Sequence, residues 1–334
     1  MNNKILAVIG PTASGKTSLA IKLAKKFDGE LINTDSRQIY KYLDIGTAKG
    51  NVKKLPMTKV QLTINNQLTN PNVQKLDVYK LDGARIHLID IVEPDKVLSL
   101  AQYQKLAYAV IEDILKRGKL PILVGGTGLY IDAIVKGYQI PKVRPDKKLR
   151  DKLSSKTVKQ LSRQLQSLDP DRFNSLNESD RANPHRLIRL IEISKANSRQ
   201  QTANSRQKVG SKFDVLFLMP YHTREKLYER INKRVDLILE EGLIEEVKSV
   251  IQKGYKFDSP AMTAISYPIV KDYIEGKISL KELKEKFSQG DRNYARRQIT
   301  WFKRYDVKKM KEDKEAIDVV KKFLILNNRG RLIC

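Results

Sequence analysis

Hydrophobic positions in the first 140 or so residues change period repeatedly. Residues 4–9 (KILAVI) form a short β-rich run ending at Gly10, and a helical pattern follows over 16–27. Residues 30–34 (ELINT) and 86–91 (IHLIDI) read as the next strands. A well-marked helix comes after them. Ser99 stands as its N-cap, Leu100, Tyr103, Ala107, Val110, Ile111 and Ile114 recur at helical spacing, and Gly118 supplies the stop. Residues 120–124 (LPILV) close the series. Strands alternating with helices of this length predict an α/β fold: a parallel sheet flanked by helices on both faces, with ligands at the carboxyl ends of its strands. Function is therefore expected in the loops after Ile9, Thr34, Ile91 and Val124.

The pattern shifts near Pro141. Residues 145–212 are polar and helical in period with no strand-like run, and 213–219 (FDVLFLM) return to a buried strand. The polar stretch thus reads as a helical insertion. Beyond it Leu227, Ile231, Val235 and Ile238 form one stripe, and Gly242 breaks the helix. The expected organisation is a core of 1–140 and 213–334, with an inserted helical domain at 141–212 and a tail at 305–334. Residues 50–85 are too long for an ordinary connection and are treated as an inserted loop. Their Leu55, Met57, Val60, Leu62, Ile64 and Leu68 suffice for a small hairpin or helix lying on the core. Lys53, Lys54 and Lys59 offer a contact for a polyanion, but a solvated decoration is the favoured reading.

Composition narrows the function classes. At about 150 residues per domain, 334 residues imply roughly two domains. No apolar run approaches the roughly 20 residues of a membrane helix. The amino terminus enters a strand at once, so no signal peptide and a cytoplasmic location are expected. One cysteine, Cys334, and three histidines (His87, His185 and His222) without ligand spacing exclude a disulfide scaffold or a zinc finger. Sixty-four basic against 38 acidic residues leave a net charge of +26, which points to a polyanionic partner, nucleic acid first. A generally lysine-rich background is the competing explanation.

Gly10, Pro11, Thr12, Ala13, Ser14, Gly15, Lys16 and Thr17 match G-x-x-x-x-G-K-[ST] between a strand and a helix. Such a loop curls its N–H groups around an oxyanion at a helix N-terminus, Lys16 adds a mobile charge, and Thr17 can ligate Mg²⁺. The loop calls for a di- or triphosphate without specifying ATP. Asp35, Ser36, Arg37 and Gln38 follow the second strand and face the phosphate site. Asp35 reads as a general base beside a diphosphate, as a substrate contact in a kinase, or as the cap of a short helix. Asp44 to Lys49 (DIGTAK) adds a hydroxyl and a lysine. Gly125, Gly126, Thr127, Gly128, Leu129 and Tyr130 form a third glycine-rich turn, which alone could be an ordinary strand-to-helix connection.

Taken in order, GPTASGKT, DSRQIY, DIGTAK, HLIDIVEPD, GGTGLY, HRLIRLIEI, REKLYERINKRVD, GLIEEV and YARRQITWFKR make the chain similar to the bacterial tRNA dimethylallyltransferase family, also called tRNA isopentenylpyrophosphate transferases. The resemblance spans nearly all of the chain except 50–85 and the last 30 or so residues. It implies a P-loop NTPase-like core and transfer of a dimethylallyl group from dimethylallyl diphosphate to N6 of the adenine 3′ of the anticodon, releasing diphosphate. It further implies Asp35 as the group taking the amine proton and Thr127 as a holder of the adenine or the donor's bridging oxygen. Lys16 and Arg224 would neutralise the leaving diphosphate, with Mg²⁺ at Thr17. Asp35, Ser36, Arg37, Gln38, Thr127, His185, Arg186, Leu187, Ile188 and Arg189 would contact the tRNA anticodon stem-loop, and the enzyme is expected to be a cytoplasmic monomer without membrane contact.

Arg292, Arg296, Arg297, Lys303 and Arg304, with Tyr294, Trp301 and Phe302 among them, form a basic helix; there the arginines are the better RNA candidates and the two later aromatics fit a core. The chain departs from the family at Ser266 and Pro268, where glycine and lysine are usual, which puts a tRNA-backbone contact at that point in doubt. A small-molecule kinase and an adenylate isopentenyltransferase are the alternative readings, both poorly matched to +26.

Overall fold

The computed structural model describes residues 3–61, 75–141, 143–199 and 212–325. Two compact units emerge, Met1–Tyr138 with Gly210–Cys334, and Gln139–Val209. In chain order the first unit contains β1 (Lys4–Ile9), α1 (Lys16–Lys26), β2 (Gly29–Asn33), β3 (Val52–Gln61), β4 (Lys75–Leu81), β5 (Ala84–His87), α2 (Leu100–Lys116), β6 (Leu120–Gly125) and α3 (Gly128–Val135). The second unit supplies α4 (Lys147–Ser154), α5 (Val158–Leu168), α6 (Pro170–Asn174), α7 (Glu178–Arg181) and α8 (Pro184–Arg199). The first resumes with β7 (Asp214–Pro220), α9 (Arg224–Glu240), α10 (Leu243–Gln252), α11 (Ser266–Ile274), α12 (Leu280–Phe302), β8 (Val307–Met310) and α13 (Asp313–Ile325).

Eight strands form one sheet in the order β3-β4-β5-β2-β6-β1-β7-β8. From β5 to β8 every pairing is parallel. Strand alternation sends Ile5, Ala7 and Ile9 into the core on one face and Leu6 and Val8 into that on the other, as a sheet covered on both sides requires. Helix α2 begins at the expected cap: Ser99 and Gln102 form a reciprocal capping box, and Tyr103, Leu106, Ala107, Val110, Ile111 and Ile114 are buried.

Three expectations are corrected. The segment 50–85 is not a loop: β3 and β4 pair antiparallel with each other, as in the hairpin its apolar residues allowed, but rather than lying on the core they extend the sheet edge, β4 pairing antiparallel with β5. Leu76 and Val78 are buried in the core on one face of the sheet and Leu81 in that on the other, because successive residues of an added strand point to opposite faces. Of the apolar residues expected to matter in this segment, Leu62, Ile64 and Leu68 lie outside the described residues. The run 86–91 does not stay extended either; β5 stops at His87, and Leu88 and Asp90 take φ of 63° and 54°, left-handed values that end a strand. The tail beyond 305 contributes β8, paired with β7, and α13, whose Ala316 and Val320 join the core.

The second unit has its own core of Leu153, Leu161, Leu165, Leu187, Ile188 and Ile191. Glu192, almost fully buried in it, accepts from Arg150, Arg189 and the N–H of Asp146, and these donors hold its carboxyl below the usual range despite burial.

Candidate active site

Strands β2, β6 and β1 are neighbours, so the loops leaving their carboxyl ends meet. They bound a cavity of about 620 Å³ that Thr12, Lys16, Thr17, Asp35, Thr127 and Arg234 help to line. The fourth expected loop, after Ile91, contributes no lining residue. One wall is the P-loop. Ala13 at φ 60° and Gly15 at φ 87° curl the backbone, and a Cβ at the latter would be strained in that conformation. Lys16 Nζ donates to Pro11 O (3.3 Å). Burial lowers its pKa to about 8, a shift that Asp35 opposes and Arg234 reinforces. Such a lysine lacks a counter-charge that an oxyanion would supply.

Two arginines of α9 complete this wall. Arg230 Nε donates to Ala13 O (2.7 Å), and Arg234 donates to Thr12 Oγ1 and pairs with Asp291 Oδ2 at 3.4 Å. At i and i+4 they share one helix face beside the buried stripe of Leu227, Ile231, Val235 and Ile238. On the far side of the loop, the Nε2–H of His222 donates to Ser14 O (2.9 Å).

The facing wall joins the β2 and β6 loops. Asp35 Oδ1 accepts from Arg37 N (2.8 Å), a local turn that engages one carboxylate oxygen. Thr127 Oγ1 accepts from Ser36 N (3.0 Å) and donates to Ser36 Oγ (3.2 Å), tying the two loops together. Tyr294 of α12 lies beside Thr127, and its phenol is raised by burial and then by the nearby Asp35 charge. Arg37 and Gln38 also have protein partners: Arg37 donates to Pro260 O and Thr263 Oγ1, Gln38 to Thr47 O and Ala48 O. Lys49 is buried, its ammonium donating to Tyr40 O and to Asp44 (2.7 Å) and pairing with Asp90, so the DIGTAK lysine braces its own turn.

Arg224 does not line this cavity. It sits in the exposed first turn of α9 over the Tyr228 ring, and bounds a separate cavity of about 480 Å³ on the Pro11 and Ser14 side of the loop. Arg230 and Arg234 take the position expected for it. Both lie in REKLYERINKRVD, where their i, i+4 spacing flanking the apolar stripe was the available signal.

In the second unit His185 and Arg186 are exposed, and Arg186 pairs with Asp180. Leu187 and Ile188, expected to contact RNA, face that unit's core instead, because α8 turns them inward beside Ile191. Arg189 donates to Val143 O and Glu192. Along α12, Phe302 is buried and Trp301 packs on the main core; of the five basic residues expected there, Arg297 lines the cavity. Asp291 and Gln298, which line it too, were missed: Asp291 lies outside every motif, and within YARRQITWFKR the basic and aromatic residues drew the reading away from the amide.

No group of three or more His, Cys, Asp or Glu side chains able to hold a metal occurs among the described residues. The cavity instead offers the Thr17 hydroxyl at the start of α1 and the carboxylates of Asp35 and Asp291. That donor set fits Mg²⁺, which commonly keeps waters and binds through substrate phosphates. Among the described residues no helix is long and apolar enough to cross a membrane.

Residues 73–305 match the family model described as IPP transferase, and residues 3–117 that described as isopentenyl transferase. The tRNA dimethylallyltransferase of Thermoanaerobacter sp. strain X514 is 38% identical over 339 residues, covering 98% of each chain. That of Anoxybacillus flavithermus is 40% identical over 304 residues, 91% of this chain and 88% of its own. The crystal structure of the full-length tRNA isopentenylpyrophosphate transferase of Bacillus halodurans superposes with a TM-score of 0.64 at 33% identity, covering 97% of this chain and 96% of that one. With P-loop, DSRQ turn and GGTG turn converging on one cavity, and likeness of this extent along the whole chain, the protein belongs to the tRNA dimethylallyltransferase family of IPP transferases.

Proposed function

We propose that the chain transfers a dimethylallyl group from dimethylallyl diphosphate to N6 of the adenine 3′ of the anticodon in tRNA. The carrying observation is that one cavity has a cationic P-loop wall and a facing wall with the Asp35 carboxylate. The bond between the allylic carbon and the diphosphate oxygen breaks, a bond from N6 to that carbon forms, and the N6 proton passes to Asp35. An exocyclic aromatic amine is a weak nucleophile, so removing its proton as the bond forms and stabilising the departing charge both lower the barrier. Lys16, Arg230, Arg234 and the loop N–H groups receive the diphosphate. Thr17 would hold Mg²⁺ against the phosphates, where it would neutralise part of their charge. Arg224, on the neighbouring cavity, would assist from across the loop.

The target adenine is stacked in a loop and must turn out to enter such a cavity. His185 and Arg186 are the exposed candidates for tRNA contact in the helical unit, and Ser36, Arg37 and Gln38 those at the cavity. The enzyme is proposed to act as a monomer, and tRNA as acceptor suits the cytoplasm. The test is to incubate the protein with labelled dimethylallyl diphosphate and tRNA, AMP or no acceptor. Label in tRNA supports the proposal; label in AMP would move the activity to free nucleotides, and ATP hydrolysis without prenyl transfer would revive the kinase reading.

A further inference from the structure

The last ladder pair between β1 and β6 is Ile9 with Gly125. Beyond it the two strands feed opposite walls: the P-loop on one side, and the turn carrying Thr127 on the other. Strand pairing no longer holds these walls together, and two glycine-rich loops have little stiffness of their own.

Gln298 of α12 bridges this gap. Its Oε1 accepts from Thr12 N (2.8 Å) and its Nε2 donates to Gly126 O (3.0 Å). The side chain is 4% exposed, so both amide ends are satisfied where a buried unpaired polar group would be costly. The fit is close on the far side: a Cβ at position 126 would lie 2.0 Å from Nε2, so only glycine admits the amide. Asp291 and Tyr294 lie on the same face, at helical spacings of seven and four residues before Gln298. Asp291 pairs with Arg234, which donates to Thr12, while Tyr294 lies beside Thr127 and lines the same cavity. The face of α12 over the site therefore holds both walls, and Gln298 is the residue that touches each directly.

We propose that Gln298 is a positioning residue that sets the separation between the leaving-group wall and the acceptor wall. This rests on the prenyl-transfer reading above. In that reaction the allylic carbon and N6 must approach to about 3–3.5 Å, and a displacement of about 1 Å can cost 10²-fold in rate. The amide is suited to the task because a backbone donor on one side and a backbone acceptor on the other demand opposite ends of one side chain. A carboxylate could keep the bond from Thr12 N but would set an oxygen against Gly126 O.

The test compares wild type, Gln298→Leu, Gln298→Glu and Gly126→Ala in steady-state prenyl transfer to tRNA, with folding checked by circular dichroism and diphosphate affinity by calorimetry. Gln298→Leu should lower kcat by about 10²-fold with KM for dimethylallyl diphosphate nearly unchanged. Gly126→Ala, which displaces the amide without altering it, should give the same split. Gln298→Glu should regain kcat as pH falls and the introduced carboxyl takes a proton that it can donate to Gly126 O, a trend absent from wild type and from the leucine variant. Folded variants with wild-type kcat, or a glutamate variant with the wild-type pH profile, would overturn the proposal and leave Gln298 a core tie. A wild-type protein that puts no label into tRNA would overturn the functional reading itself, and the positioning role with it.

Discussion

On the donor wall of the cavity, Lys16, Arg230 and Arg234 gather on a curled loop of backbone N–H groups, whereas on the acceptor wall the Asp35 carboxylate accepts from Arg37 N beside the neutral Ser36–Thr127 pair and the Tyr294 phenol. The cations meet charge that is already on the bound donor and that grows as it leaves, so they act on affinity and on rate. The carboxylate meets a proton that moves only during the reaction, so it acts on rate alone. The contrast teaches that one cavity can divide its work by wall, and that kinetic parameters can report which wall has been altered.

The sharpest way to break that division is Asp35→Asn. It keeps the local acceptor for Arg37 N but removes the base, and turnover should fall by about 10²–10⁴ with diphosphate binding preserved in calorimetry. Weaker donor binding in this variant would merge the two walls. Next comes Arg234→Ala, expected to slow turnover by about 10² and also to weaken diphosphate binding, as loss of a charge-stabilising donor does. Arg224→Ala, altering a residue across the loop, should cost less in both measurements. The opposite order would relocate the leaving group to the Pro11 and Ser14 side.

A smaller effect should appear with pH. The free Lys16 pKa is lowered to about 8, chiefly by burial, while a bound anion favours the charged form. Affinity for dimethylallyl diphosphate should hence be level below about pH 8 and decline above it by at most about tenfold per pH unit, because the lysine must first regain its proton. Calorimetry across pH 7 to 10 would check this, and Lys16→Arg, whose guanidinium stays charged, should lack the decline. The smallest change lies away from both walls. Arg186→Ala should weaken tRNA binding a few-fold and reduce the salt slope by about one, leaving donor binding intact. An unaltered slope in filter binding would remove Arg186 from the RNA contacts.

Much of the donor wall is legible in the amino-acid sequence. Residues 10–17 are contiguous, and the backbone chemistry that makes a phosphate cradle is encoded within those eight positions. Asp35 and Thr127 are legible as well, because each follows directly on a strand whose apolar run is plain. The i, i+4 spacing beside the apolar stripe puts Arg230 and Arg234 on one face of α9, but that this face meets the loop depends on how Leu227, Ile231 and Val235 pack. Segment 50–85 misleads for a related reason. Its strands, VKKLPMTKVQ and KLDVYKL, keep no regular alternation of polar and apolar positions, so their sequence is hard to distinguish from an ordinary polar loop.

What the sequence determined by itself is whatever a few neighbouring residues can specify: the strand and helix periods, the Ser99 cap, the phosphate loop, and the placement of Asp35 and Thr127 at strand ends. The tertiary structure alone decided which distant groups complete the site. Gln298 joins Thr12 across 286 positions and Gly126 across 172, and Arg234 reaches Thr12 across 222. No local rule links such residues, because their meeting is set by how the sheet orders its strands and by which face α9 and α12 must bury to cover it.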